Sequence, residues 1–301
     1  MTIRKLLVFG ATGTQGHPVV EEALAAGLEV RAVTRNVAAA RARLTPSAEF
    51  VRADLLDADS VVDAMTGCQA VFFHLNHMPD TDEAQQTVDN VLAAARAHEL
   101  ERMVFTTSGY CGSVMPSCAF VDAARRLTAQ VLSSGVPAVV LQPTLYLANL
   151  VWSHIITEIR DFGRLRYPPL PAERRFSWTS TEDQGRIAVA CLQADAAGEA
   201  IDIASPEAVT GPELCRYLAR VYGREVHFAP QSVEAFANDL SYQTGSAHSA
   251  RVISELYAAY ARMDDGPRVD TDALQQRLGI ELMPVSRWVE DRLGYLLSLY
   301  G

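Results

Sequence analysis

The sequence predicts an α/β fold, a doubly wound parallel sheet with a smaller, mostly helical C-terminal part. Short apolar runs alternate with longer helix-like stretches over the first two thirds of the chain, the signature of repeated strand–helix–strand units. The runs are apolar almost throughout, as strands covered by helices on both faces must be. A turn with glycines at positions 10, 13 and 16 follows the first run directly.

Residues 5–9 form the first expected strand. Its apolar run, Leu6 to Phe9, suits a buried strand and falls far short of the roughly 20 residues a membrane span needs. Further strands are expected at 29–34, 49–52, 70–74, 102–107, 138–142 and 200–203. Helices are expected between them at 15–26, 37–44, 60–65, 82–98, 119–134 and 181–194. Gly27 closes the first helix in a left-handed conformation, and Gly135, ahead of Pro137, closes the fifth. After residue 203 the alternation fades and helices dominate, at 211–222, 232–238, 246–262, 270–278 and 284–297. Asp270 or Thr271 is placed to cap the fourth of these, and Gly279 to close it. The stretch from 152 to 177, with Pro168-Pro169-Leu170-Pro171, reads as loop-rich.

Composition narrows the function. The chain has 301 residues, 49% of them apolar, and a net charge of −10 from 26 basic and 36 acidic residues. That is ordinary globular composition, and the acidic balance argues against a broad nucleic-acid surface. The five cysteines form no C-x-x-C pair, and no histidines are spaced around them as zinc ligands. An odd cysteine count with no secretory signal points to reduced thiols and a cytoplasmic protein. The expectation is a small-molecule substrate, with no nucleic acid, no membrane and no metal; the oligomeric state stays open.

The chemistry begins at Gly10-Ala11-Thr12-Gly13-Thr14-Gln15-Gly16. Gly10 permits a tight turn, Gly13 lets the backbone approach a pyrophosphate, and Gly16 lets the helix pack close to the sheet. The helix N-terminus offers free N–H groups to the phosphates. A bare strand-to-helix turn is the alternative. This is the fingerprint of a Rossmann-type dinucleotide site, so residues 1–150 read as the nucleotide-binding domain. Residues 151–301 read as the smaller substrate-binding part, with 181–204 returning a helix and a strand to the sheet. The second strand runs Val30-Arg31-Ala32-Val33-Thr34-Arg35-Asn36 and ends on no carboxylate. NAD sites place an acid there for the ribose hydroxyls, whereas Thr34 and Arg35 suit a 2′-phosphate. The expected cofactor is therefore NADP(H), with a solvated surface arginine as the alternative.

The chain resembles the NmrA-like group of atypical short-chain dehydrogenases/reductases. The resemblance rests on Gly10 to Gly16, Val33-Thr34-Arg35, Val51-Arg52-Ala53-Asp54-Leu55, Val104 to Ser108 and Leu141 to Asn149. Asp270-Thr271-Asp272 through Gly279, and Trp288, also follow the pattern. It implies that Asp54 and Leu55 border the adenine, and that Leu75, Asn76 and His77 run past the nicotinamide ribose. It further implies that Thr107, Ser108 and Gly109 lie beside the nicotinamide, and that Pro143 and Asn149 close the pocket. These strand ends share the carboxyl edge of the sheet, where open α/β folds bind ligands.

One departure matters. The wider superfamily uses a Tyr-x-x-x-Lys pair, in which Lys lowers the Tyr pKa for proton transfer. Lys5 is the only lysine in this chain, so the pair is missing. The helix that would carry it reads Phe120-Val121-Asp122-Ala123-Ala124-Arg125-Arg126. Arg125 or Arg126 is available for a ribose contact but not for proton relay. Ser108, Tyr110, His77 and Tyr146 are the candidate catalytic groups, with His74 beside them. Trp152, His154, Tyr167 and Trp178 either line an aromatic pocket or form the seam between the two parts. Asp183 reads as a helix-start acid.

Three functions are open to such a chain. One is NADPH-dependent hydride transfer to a small conjugated acceptor such as a quinone or enone. The second is redox sensing, in which NADP(H) occupancy biases a protein partner without turnover. The third is a non-redox cyclisation or elimination on the same scaffold.

Overall fold

The computed structural model describes residues 3–38, 47–75, 78–294 and 297. Most of the helix expected at 37–44 lies outside them, as do residues 295 and 296 of the last expected helix. In chain order the strands are β1 Lys5–Val8, β2 Glu29–Val33, β3 Glu49–Val51, β4 Ala70–His74, β5 Arg102–Thr106 and β6 Ala138–Pro143. Then follow β7 Leu145–Tyr146, β8 Arg164–Leu165, β9 Trp178–Thr179, β10 Glu199–Ile203 and β11 His227–Phe228. The helices are α1 Gly16–Ala25, α2 Ala58–Met65, α3 Asp82–Ala97, α4 Ala119–Leu132 and α5 Ser153–Phe162. They continue with α6 Thr181–Ala190, α7 Gly211–Tyr222, α8 Val233–Thr244, α9 Ala247–Ala261 and α10 Thr271–Leu278.

Seven strands form one sheet in the order β3-β2-β1-β4-β5-β6-β10, and every neighbouring pair is parallel. The strand order reverses between β1 and β4, which opens a crevice at the carboxyl edge. This is the expected Rossmann-type doubly wound fold. Alternation along the strands sorts the side chains onto two faces. Leu6, Val8, Val30, Phe72 and Val139 pack with α1 and α6, while Leu7, Phe9, Val71, Phe105 and Val140 pack with α2, α3 and α4. The central strands β1, β4, β5 and β6 are covered on both faces, which is why their sequences are nearly all apolar.

The helix ends follow local chemistry. Gly27, Gly135 and Gly279 all have positive φ, and Asp270 accepts from the Ala273 N–H at 2.9 Å at the start of α10. The helix expected at 37–44 aside, most strand and helix limits fall within a few residues of those expected. Three stretches differ. The region from 152 to 177, read as loop, contains α5 and β8. The helix expected at 232–238 runs on to Thr244, because its stop is Gly245 in the left-handed region. The last expected helix is a short helical turn, Val285–Arg287, followed by a wider π-type turn at Trp288–Leu293. There the Trp288 indole N–H and the Arg292 guanidinium both reach the Glu182 carboxylate.

A third apolar core joins the two expected parts. It packs Phe120, Leu145 and Leu150 with Trp178, Phe236, Tyr257, Tyr260 and Trp288. Residue 150 itself falls inside a 3-10 helix, Leu147–Val151. Among the described residues no helix is long and apolar enough to cross a membrane, and all five cysteines are free thiols.

Candidate active site

The glycine turn has the geometry its spacing implies. Gly10 has φ +66°, and a Cβ there would lie 2.3 Å from the His74 Nε2. A Cβ on Gly16 would lie 2.3 Å from the Gly10 carbonyl oxygen, so α1 enters the turn as closely as only glycine allows. Gly13 and Thr14 are exposed and Thr12 is half-buried. The N–H groups of Thr14, Gln15 and Gly16 make no hydrogen bond within the described residues. A row of free donors at a helix N-terminus, with no side chain in front of Gly13, fits a pyrophosphate.

The carboxyl edge forms a cavity of about 390 Å³. Its floor is Gln15, Leu75, Thr107, Ser108, Gly109 and Tyr146. Phe120, Asn149 and Trp152 form a wall, and α8 and α9 supply Leu240, Ile253, Leu256, Tyr257 and Tyr260 as the roof. No charged side chain is among its described lining residues.

A polar cluster occupies the floor. The Ser108 Oγ lies 3.1 Å from the Gln15 Nε2 and 3.3 Å from its Oε1. The Tyr146 hydroxyl lies 3.0 Å from the Gln15 Oε1 and 2.6 Å from the Gln184 Oε1. Ser108 is held in the left-handed region at φ +59°, a strained conformation for a residue with a side chain. Burial raises the Tyr146 hydroxyl above its ordinary pKa, against the lowering effect of its hydrogen bonds. On the far wall the Asn149 Nδ2 donates to the Tyr167 hydroxyl at 2.7 Å, and Tyr167 is in turn bonded to Tyr257.

The remaining expected residues divide. Thr107 faces the cavity, but its hydroxyl donates to the Gly109 and Leu141 carbonyls. Leu75 lines the floor, while Pro143 ends β6 one residue short of the lining. Arg35 is exposed and makes no ion pair among the described residues. Thr34 is nearly buried, and its hydroxyl accepts the Asn36 N–H at 3.2 Å, so it shapes the turn that carries Arg35. Asp54 is exposed and accepts the Leu56 N–H at 3.1 Å, which leaves its second oxygen free. The Leu55 side chain belongs to the core under α2. Asn76 and His77 lie outside the described residues.

Several candidates are not at this cavity. Tyr110 is buried and turned to the sheet edge, where its hydroxyl donates to the Asp202 Oδ2 at 2.9 Å. It is not among the described lining residues, so the structure does not bring Tyr110 together with Ser108 and Tyr146. Arg125 donates to the carbonyls of Cys111, Gly112 and Met115, bracing that loop. Arg126 reaches Gln85 on the surface. Neither arginine takes the place of the missing lysine. His74 sits under Gly10, with its Nδ1 on the Leu75 carbonyl and its Nε2 buried without a partner. The four aromatic residues of the middle segment split. Trp152 lines the cavity, Tyr167 and Trp178 are core, and His154 faces a separate cleft with Arg166 and Asp239. Asp183 is fully buried and does more than start a helix, since it accepts from Ser205 and from the Met283 N–H.

Gln184, Tyr257 and Tyr260 carry no local sequence signal for this site. Gly185 is the one hint, because a glycine inside a helix often marks close packing. Its absent side chain lets α6 lie against the Pro18 backbone of α1, which brings Gln184 under the glycine turn.

The family model described as the NmrA-like family matches residues 2–286. The chain belongs to the NmrA-like family. Among its relatives is an NAD(P)H azoreductase from Xenophilus azovorans, 26% identical over 258 residues that cover 84% of this chain and 86% of that one. A (4-alkanoyl-5-oxo-2,5-dihydrofuran-3-yl)methyl phosphate reductase from Streptomyces griseus is 30% identical over 233 residues, covering 76% and 78%. Among solved structures, the Citrobacter sp. triphenylmethane reductase complexed with NADP(H) superposes with a TM-score of 0.77 at 21% identity, covering 95% and 99% of the two chains. An NADPH-dependent quinone oxidoreductase from Escherichia coli, complexed with NADPH, gives 0.75 at 18% identity, covering 97% and 99%. At such identities the structural likeness establishes the shared fold, and this NmrA-like chain has that fold along nearly its whole length.

Proposed function

We propose that this protein is an NADPH-dependent oxidoreductase that transfers hydride to a small, flat, conjugated acceptor such as a quinone or enone. The observation that carries the reading is the junction at Gln15. One residue belongs both to the glycine turn, with its free N–H groups, and to the floor of an apolar cavity whose polar groups gather at that end. The relatives that reduce azo compounds and a butenolide phosphate support the reaction class.

In this reading Thr14, Gln15 and Gly16 hold the pyrophosphate through the backbone, and Arg35 holds the 2′-phosphate. When bound, NADPH supplies the hydride. The apolar roof excludes water and stacks on the flat acceptor. Ser108 and Tyr146 orient the acceptor oxygen by hydrogen bonds, which strengthen as negative charge develops there. Tyr146 is protonated at neutral pH, as an ordinary phenol is, and burial raises it further, so it donates a hydrogen bond; the reduced acceptor takes its proton from water as the site opens for release. That fits a chain without the Tyr-x-x-x-Lys pair, since conjugated acceptors tolerate a weak donor. The missing pair also keeps redox sensing as the second reading.

Calorimetric titration with NADPH, NADP⁺, NADH and NAD⁺, followed by an acceptor screen with quinones and enones, tests the reading. Arg35→Ala should weaken NADPH by roughly tenfold to a hundredfold, the value of a charge-assisted hydrogen bond, and leave NADH unchanged. An equal effect on both nucleotides removes Arg35 from the phosphate site. Tight nucleotide binding without turnover of any acceptor favours the sensor.

A further inference from the structure

We propose that Gln184 is a positioning residue of this cavity, holding the Tyr146 hydroxyl at the floor beside Ser108. The inference rests on reading the cavity as the acceptor site. Gln184 is fully buried and sits on α6, 169 residues from Gln15. Its Oε1 accepts from Tyr146 at 2.6 Å and from the Thr106 hydroxyl at 3.3 Å, and its Nε2 donates to the Gln15 Oε1 at 3.4 Å. A buried carboxamide with a partner for each end is held in one orientation.

That orientation decides what Tyr146 offers. The phenol has one proton and faces two amide oxygens, and Gln184 is the nearer of them. At rest the proton points to Gln184. Turning it to an acceptor oxygen exchanges one hydrogen bond for another without moving the ring. The usual Tyr-x-x-x-Lys arrangement positions its tyrosine beside a cation. The only lysine here, Lys5, is bonded to Glu49 at 2.7 Å. A neutral amide takes the orienting task and leaves the phenol protonated. Three elements are needed: β7 supplies Tyr146, the turn before α1 supplies Gln15, and α6 supplies Gln184.

Two measurements test this. In protein labelled with ¹³C at tyrosine Cζ, the Tyr146 resonance is the one lost in Tyr146→Phe. It should shift in Gln184→Met, which keeps the side-chain length without the acceptor, and return toward its position in Gln184→Glu. A resonance that does not move in Gln184→Met overturns the proposal. The second measurement is NADPH-dependent reduction of duroquinone by Gln184→Met, Tyr146→Phe and the double variant. Each single change should lower kcat by about tenfold, the value of one hydrogen bond, with the NADPH KM unchanged. The double variant should be no slower than the worse single variant. Losses that multiply overturn the proposal, because they make the two residues independent. A shifted resonance in a protein that reduces no quinone or enone instead sinks the reductase reading and leaves the Gln184–Tyr146 contact standing.

Discussion

Ser108 and Tyr146 act in a setting that other single residues create. The His74 ring lies where a side chain on Gly10 would project, and its Nε2 has no partner there. Burial lowers the pKa of His74 below its ordinary value and does the same for His154. The unfolded chain therefore takes up protons near pH 6.5 that the folded chain refuses, and stability contributed by these groups is lost as pH falls through that value. The raised carboxyls of Glu22, Asp183 and Asp202 act with the opposite sign. The informative quantity is the difference between the wild type and His74→Asn. Urea midpoints at pH 7.5 and 5.5 should show a smaller fall in the variant. An equal fall would mean that the buried imidazole costs nothing to protonate. At this scale the glycine turn and Arg35 were legible in the sequence, because each depends on neighbours within a few positions. That the Tyr110 hydroxyl faces Asp202 was not legible, because its distance along the chain from Ser108 says nothing about which way a loop turns.

At the scale of elements, the junction of α1 and α6 builds the floor. A Cβ on Gly185 would stand 2.9 Å from the Pro18 carbonyl group, so the two helices touch through backbone. Gly185→Leu should destabilise the protein by about 1–3 kcal/mol through overpacking. It should also lift Gln184 from Tyr146, lowering turnover more than nucleotide affinity. Denaturant titration and steady-state kinetics read the two effects separately, and an unchanged stability would show that α6 has room to move. Element existence was legible because short apolar runs and helix-like stretches are local patterns. α5 escaped notice because only Ile155 and Ile159 are buried, a narrow stripe beside a proline-rich stretch.

Across the whole molecule, Asp183 ties the sheet to the C-terminal segment. Its carboxylate accepts from the Ser205 hydroxyl after β10 and from the Met283 N–H, and it pairs with Arg186 at 3.1 Å. The roof helices α8 and α9 are part of the same continuous core. Asp183→Ala leaves the buried Ser205 hydroxyl and the half-buried Met283 N–H without this acceptor and should cost on the order of 2 kcal/mol. Thermal unfolding should remain one transition at a lower midpoint. A midpoint equal to that of the wild type would show that the segment is held by apolar packing alone.

The sequence by itself determined the sheet, the order of its helices and the turn at Gly10 to Gly16. Those features are written in periodicities and backbone allowances that operate over a few residues. The family resemblance carried by the sequence's motifs implied that Leu75, Ser108 and Asn149 border one pocket, and all three line the cavity with Tyr146. Only the tertiary structure decided that Gln15 and Gln184 meet, that α8 and α9 close the cavity, and that Tyr110 and Arg125 turn elsewhere. Those outcomes depend on contacts between residues far apart in the chain, which packing selects and local pattern does not encode.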